Sequence, residues 1–354
     1  MSIAELRQKI DDIDDRILDL LNQRAGIVIE VGKIKTKAQQ ELYVPSRERT
    51  IFERLSSTNP GPFPNDSIRK VFREIISASL SLEHPIKVVF LGPRATFTHV
   101  AAMQQFGHSA MLVPAKSIPA IFEEVMCGRA KFGVVPIENS NEGAVTHTLD
   151  MFMESPLQII AENYLEISHD LLSRTGRTQD IRSIVSHTQA LAQCRRWLDE
   201  HFSEIPRIEV ASTARAAQIA AEDESVAAVA CGQATNLYGL QVIANKIEDH
   251  HNNFTRFLVI GEKMPDPSAS DRTSLLFSFR DEAGILSKML EPFRYRGLNL
   301  MKIESRPMKG SMWEYMFFLD VEGHVAQPKL AEAIGELKPL CSFLKVLGSY
   351  PRSR

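Results

Sequence analysis

Apolar residues in the first 37 positions recur in steps that alternate between three and four: Ile3, Leu6, Ile10, Ile13, Ile17, Leu20, Ile27, Val31 and Ile34. This is the spacing of a helix whose apolar seam seeks another helix. Arg24 fills one place in the seam. A guanidinium there loses hydration worth several kcal/mol unless an anion meets it, which implies a carboxylate partner or an anionic ligand. Taken by itself, Arg24 is equally readable as half of a buried ion pair or as a polar seam residue that fixes helix register. Lys35, eleven residues on, returns to nearly the same face. The pattern predicts helices over Ile3 to Lys37, Ser46 to Ser56 and Asn65 to Leu82, with the breaker Thr58 to Pro64 before the last. The first would be about 50 Å long, more than two short helices can cover, so a second copy of the chain is expected against it.

After His84-Pro85 the period changes. Ile86 to Leu91 is a β-branched run followed by Gly92-Pro93 and a helix from Thr98. Strands near 132–136, 157–168, 182–186, 207–210, 226–230 and 256–260 alternate with helical stretches, which predicts an α/β region over 86–264. The polar stretch Lys263 to Asp271 reads as a linker. Residues 272–350 then give strand, helix, strand, strand, helix, strand, the ferredoxin-like βαββαβ order of an α+β domain. An all-α unit over 1–85 completes a multidomain chain.

With 354 residues, 44% hydrophobic and 24% charged, the chain has room for two or three domains. A net charge of −3 gives no case for nucleic acid or an anionic membrane as the main partner. The amino terminus is charged from the start and no apolar run approaches the ~18 residues of a membrane span, so a cytoplasmic protein is expected. The four cysteines show no CxxC spacing, His250 and His251 lack spaced partners, and no GxGxxG follows a strand. No metal, nicotinamide or other cofactor is therefore expected, and an oxidoreductase is disfavoured.

The helical block also carries Arg7, about 25 Å along the first helix from Arg24, and Arg47-Glu48 at the start of the second. One chain cannot aim Arg7 and Arg24 at one small ligand; two antiparallel copies can. LRQKID, LLNQRAGIVIEVGKIK, SRER and SASLSLE resemble the all-helical chorismate mutases across nearly all of residues 1–85. That resemblance implies an intertwined dimer in which Arg24, Arg47 and a second copy's Arg7 hold the two carboxylates of chorismate. It assigns Lys35 to the ether oxygen, Glu48 to the ring hydroxyl, and Ser79 and Glu83 to the remaining polar contacts. A Claisen rearrangement needs a compact conformer and stabilisation of charge growing on the ether oxygen, which cations in a dry seam supply. Glu83 can donate to that oxygen only when protonated, so mutase activity should fall at alkaline pH.

Polar clusters fall at predicted strand ends: Thr96-Phe97-Thr98, Glu138-Asn139-Ser140, His187-Thr188-Gln189, Ser212-Thr213 and Asn252 to Phe257. Each alone reads as a cap or turn, but strand ends are where open α/β sheets bind ligands. VVPIENSNEGAV, SHTQALAQC and NNFTRF resemble prephenate dehydratase over about 86–262. The resemblance implies a two-lobed, periplasmic-binding-protein-like domain with Thr255 catalytic, and Thr96, Asn139, Ser140, Gln189, Ser212, Thr213, Arg256 and Phe257 binding or shaping the site. Two residues depart from that family: Ala95, expected to avoid positive φ, and Thr188, where proline is usual.

Ala283-Gly284-Ile285-Leu286 and Glu304-Ser305-Arg306-Pro307, within AGILSKMLEPFRYRGLNLMKIESRP, resemble the ACT domain of the same dehydratases. They imply an L-phenylalanine effector site at a dimer interface. Together the three resemblances imply a homo-oligomeric bifunctional enzyme of phenylalanine synthesis, taking chorismate to prephenate and prephenate to phenylpyruvate.

Overall fold

The computed structural model describes residues 2–353 except 39–40, 42, 84, 281 and 308–314; the side chains of Thr36 and Glu83 also lie outside the description. The chain divides into two compact units, Met1–Lys87 with Met103–Met111, and Val88–Ala102 with Leu112–Arg354.

The first unit is built on α1 (Ile3–Lys37), α2 (Pro45–Thr58) and α3 (Asn65–Glu83). Pro45 opens α2, where its missing N–H would be unpaired in any case. Helices α1 and α2 both pack on α3, around Tyr43, Phe52, Ile68 and Ile76. The apolar seam of α1 is uncovered from end to end: Ile3 is 72% and Ile34 66% exposed, and the seven apolar seam residues between them are exposed as well.

Onward along the chain come β1 (Lys87–Leu91), α4 (Phe97–Phe106, its end from Met103 in the first unit), β2 (Met111–Ala115), α5 (Ile118–Met126), β3 (Phe132–Asn139), β4 (Gly143–Ala144), α6 (Thr146–Glu154) and β5 (Gln158–Glu166), which, apart from Lys87, Met111 and that helix end, belong to the second unit. The chain then crosses to a second lobe of β6 (Asp170–Ser173), β7 (Ser183–Ser186), α7 (Thr188–Gln193), α8 (Arg195–His201), β8 (Arg207–Glu209), α9 (Thr213–Glu222), β9 (Val226–Ala230), α10 (Gln233–Tyr238) and β10 (Gln241–Ala244). It returns as β11 (Phe254–Gly261) between β3 and β5. The first sheet runs β2-β1-β3-β11-β5 with β4 against β3, and the second runs β10-β6-β9-β7-β8. The single strand expected over 157–168 is β5 alone, and β6 was not anticipated. Strands β2 and β10 were also missed: both lie at sheet edges, partly exposed, and lack the long apolar run of a central strand.

Two local expectations meet the structure here. Ala95 does not avoid positive φ: it sits at φ 63°, fully buried, its carbonyl accepting from the Cys231 thiol. A left-handed alanine costs about 1 kcal/mol more than glycine, and the packed core around Ala216, Ala217 and Ala230 holds it there. Thr188 is the first residue of α7, the position a proline would also occupy, and the helix starts there without one.

The chain closes with β12 (Asp271–Phe279), α11 (Ile285–Tyr295), β13 (Leu300–Pro307), β14 (Tyr315–Glu322), α12 (Pro328–Leu337) and β15 (Phe343–Pro351), ordered β13-β14-β12-β15 and antiparallel throughout. One face of this sheet packs on its own helices through Phe277, Met289, Phe293 and Leu330. The other face adds Leu276, Met316, Phe318, Leu347 and Tyr350 to the core of the first α/β sheet, beside Val135, Ile137, Ile159 and Leu258. The two sheets come close at Gly348, where a Cβ would stand 2.2 Å from the Ile159 carbonyl oxygen.

Candidate active sites

A cavity of about 310 Å³ lies between the two α/β lobes, within the usual size range for small-molecule sites. Thr255 of β11 and Asn139, which ends β3, stand opposite each other in the strand register. Asn139 Nδ2 donates to Thr255 Oγ1 and to Asn253 Oδ1, each at 2.8 Å. Its Oδ1 accepts from the backbone N–H groups of Asn141 (2.9 Å) and Glu142 (3.2 Å). The amide is thus fixed, and because Thr255 Oγ1 accepts from it, the threonine hydrogen is left to point at an occupant.

Three helices start at the rim of the cavity, contributing Thr96 to Thr98, His187 with Gln189, and Ser212 with Thr213. None of the lining residues is lysine or arginine. The positive ends of helix dipoles nevertheless favour anions, although Ser212 Oγ already accepts from the Arg215 N–H, His187 Nδ1 from the Gln189 N–H and Thr96 Oγ1 from the His99 N–H. Gln189 also donates to the Glu142 carboxylate across the mouth. His169 is buried in the lining with Nε2 2.9 Å from Gln193 Oε1; burial pushes its pKa down and keeps the ring neutral. Its buried Nδ1 has no partner among the described residues.

Arg256 corrects an expectation. Neighbouring residues of a strand face opposite ways, so Thr255 turns into the cavity and Arg256 away from it. The fully buried guanidinium bonds Glu162 (2.8 Å), Asp320 (2.5 Å), Glu138 (3.2 Å) and the Tyr350 hydroxyl (2.8 Å), and it does not line the cavity. Ser140 is also outside the lining: its Oγ accepts from the Phe254 N–H and donates to the Asn252 carbonyl, clasping the two strand ends.

In the helical unit, Arg24 Nη1 donates to Ser79 Oγ at 2.5 Å, and Ser79 in turn donates to the Ile75 carbonyl. Arg24 is half-buried, its pKa lowered by burial, and no carboxylate among the described residues pairs with it. Lys35 is half-buried, while Arg7 and Arg47 are exposed. Glu48 departs from the expected ligand role: it is buried against Arg73, which also donates to the Gln105 carbonyl at 2.7 Å. Val44 precedes α2 without a side-chain bond. The side chain of Glu83 falls outside the described residues.

In the C-terminal domain, Gly284 precedes α11 at φ 80°, a left-handed start that glycine adopts without penalty. Ala283, Gly284 and Leu286 are exposed and Ile285 half-buried. On β13, Ser305 and Pro307 are exposed and Glu304 is half-buried. Arg306 points elsewhere: it donates to the Thr146 carbonyl (2.7 Å) and pairs with Asp150 (2.7 Å), so its guanidinium serves the contact with α6 instead of an effector.

Family profiles match in three consecutive stretches: chorismate mutase type II over residues 6–84, prephenate dehydratase over 88–265 and the ACT domain over 273–339. A bifunctional chorismate mutase/prephenate dehydratase of Aquifex aeolicus is 48% identical over 99% of this chain and 98% of its own length. The chain belongs to the bifunctional chorismate mutase/prephenate dehydratase family. A second such enzyme, of Stutzerimonas stutzeri, is 43% identical over 99% of this chain and 98% of its own. Among solved structures, a prephenate dehydratase of Arthrobacter aurescens in complex with L-Phe shares 35% identity and a TM-score of 0.70, over 75% of this chain and 90% of that one.

Within the dehydratase cleft, Thr96, Asn139, Gln189, Ser212, Thr213, Thr255 and Phe257 come together. Gln193 and Asn253, which lie within SHTQALAQC and NNFTRF but were given no role there, line the same cavity. Gln193 lies one helical turn beyond Gln189, a spacing that could have revealed it. His169 belongs to no motif and had no signal in the sequence.

Proposed function

We propose that the mutase unit rearranges chorismate to prephenate and that the dehydratase cleft converts prephenate to phenylpyruvate. For the second reaction, the Asn139–Thr255 hydrogen bond inside an anion-favouring cavity carries the reading. The helix starts receive the two carboxylates, and Thr255 donates its hydrogen bond to the ring hydroxyl. The bond from the ring to the departing carboxylate breaks as carbon dioxide leaves, its electron pair completes the aromatic ring as the carbon–oxygen bond to the hydroxyl breaks, and the oxygen leaves as water by taking one proton from solvent. A threonine hydroxyl is a weak acid, so its contribution is a hydrogen bond that strengthens as charge grows on the leaving oxygen.

For the first reaction, Arg24 and Arg47 of one chain and Arg7 of a second copy hold the carboxylates, with Lys35 and Glu83 at the ether oxygen and Ser79 positioning Arg24. The exposed seam of α1 supports a homodimer, because a lone copy leaves that apolar face in water. Glu83→Gln should flatten an alkaline fall in mutase activity; an unchanged profile rejects a protonated Glu83. The Ala283 to Leu286 segment, exposed except for half-buried Ile285, and Glu304, Ser305 and Pro307 of β13 are taken as the effector site, with L-phenylalanine as ligand, supported by the relative solved with that amino acid. No helix among the described residues is long and apolar enough to cross a membrane, which accords with a cytoplasmic enzyme.

The test is ultraviolet detection of phenylpyruvate from added chorismate, without nicotinamide or added metal. Product formation supports both steps. Prephenate accumulating without phenylpyruvate rejects the second, and binding without turnover makes the chain a silent sensor.

A further inference from the structure

The same alternation that turns Asn139 and Thr255 into the cleft turns their neighbours Glu138 and Arg256 toward the ACT sheet. There Arg256 Nη1 meets Asp320 of β14 at 2.5 Å. The Glu138 carboxylate is shared, with Oε1 3.2 Å from Arg256 Nη1 and Oε2 bonded to the Lys302 ammonium of β13. Lys302 stands two residues before Glu304, on the strand that carries the expected effector segment. Further along, Arg306 ties β13 to α6. These charges are largely withdrawn from water, Lys302 to 16% side-chain exposure and Glu138 to 25%. Breaking such a pair leaves a poorly solvated charge, so β13 cannot shift against β3 without either dragging Glu138 along or stranding it.

We propose that the Lys302–Glu138 ion pair carries the effector's signal from the ACT strand β13 to the Asn139–Thr255 pair of the dehydratase cleft. A ligand that favours a displaced β13 moves Glu138, and the adjoining Asn139 amide then loses the alignment that aims the Thr255 hydroxyl. A ligand shifts such an equilibrium only by its differential affinity for the two arrangements, so removing the tie should spare basal turnover and effector binding while abolishing their coupling. The inference rests on the dehydratase and L-phenylalanine readings above.

The experiment compares full-length wild type with Lys302→Met and Lys302→Arg, measuring phenylpyruvate formation from prephenate across L-phenylalanine concentrations and effector binding by calorimetry. In Lys302→Met, basal turnover stays within about threefold of wild type, phenylalanine still binds, and the half-inhibitory concentration rises at least about tenfold, inside the ~5–150-fold range of ordinary coupling factors. Lys302→Arg restores inhibition. Wild-type inhibition of Lys302→Met overturns the inference, and so does loss of phenylalanine binding, which would make Lys302 an effector ligand. A wild-type enzyme that turns over prephenate without responding to phenylalanine sinks the effector reading and this inference with it. If Lys302→Met fails to unfold cooperatively, Glu138→Gln, which keeps the shape and removes the charge, is read by the same criteria.

Discussion

Thr255 and Arg256 are adjacent, yet one faces the cleft and the other an ion network reaching Asp320. Thr255→Val keeps the shape and removes the donor. Dehydratase kcat should fall about 10²–10³-fold, the usual loss for a donor aimed at developing charge. Mutase activity of the same preparation should stay unchanged, while equal loss of both activities would point to unfolding. A second prediction concerns acid. Burial pushes the Glu138 carboxyl up, but Lys302 and Arg256 outweigh it and hold its pKa below the usual carboxylate range. Its contribution to stability is complete above that range and fades as pH falls through the lowered value. His169, held neutral by burial, contributes fully above the ordinary histidine pKa of ~6.5 and loses its contribution as pH falls below it. The thermal midpoint of the α/β lobes should therefore drop in an upper limb below pH ~6.5 and a lower limb in the carboxylate range, and His169→Gln should remove the upper one. An unaltered upper limb in that variant would reject the role given to His169. At this scale the sequence showed which residue types were present near the site but not which way each faced. The acids and tyrosine around Arg256 come from positions between 138 and 350, a convergence that no local motif encodes.

Among elements, the long periodic ones were the most readable. Helix α1 runs over the predicted Ile3–Lys37 because its period is sustained for 35 residues, and β11, between β3 and β5, stands out by its apolar run Phe257 to Ile260. Edge strands β2 and β10 were invisible because partial exposure dilutes their apolar signal. Gly348 gave no sign of its role: only the folded chain shows β15 pressed against β5. Gly348→Ala forces a Cβ into the Ile159 carbonyl, and backbone must move to admit it. Overpacking of this kind costs about 1–3 kcal/mol. Denaturant titration of the full chain should show the loss as a lower midpoint with an unchanged slope, and a midpoint equal to wild type would mean the two sheets separate easily.

For the whole molecule, the decisive feature is what a single chain leaves bare. Ile10→Asp with Ile17→Asp places charge in the uncovered seam of α1 without touching Arg24, Ser79 or the dehydratase cleft. Solution mass should fall to that of fewer copies and mutase activity should vanish, whereas dehydratase turnover without effector should persist. Retained mutase activity at monomer mass would show that one copy suffices. Arg24→Ala should abolish the first reaction and spare the second, and joint loss would reveal coupling between the centres. On the proposed homodimer, the exposed seam of the 35-residue helix α1 makes heat denaturation of the helical unit a reaction between molecules. Its transition should climb in temperature as the protein is concentrated, while that of the lobes holds still, so a melting curve recorded at one dilution describes the solution as much as the chain.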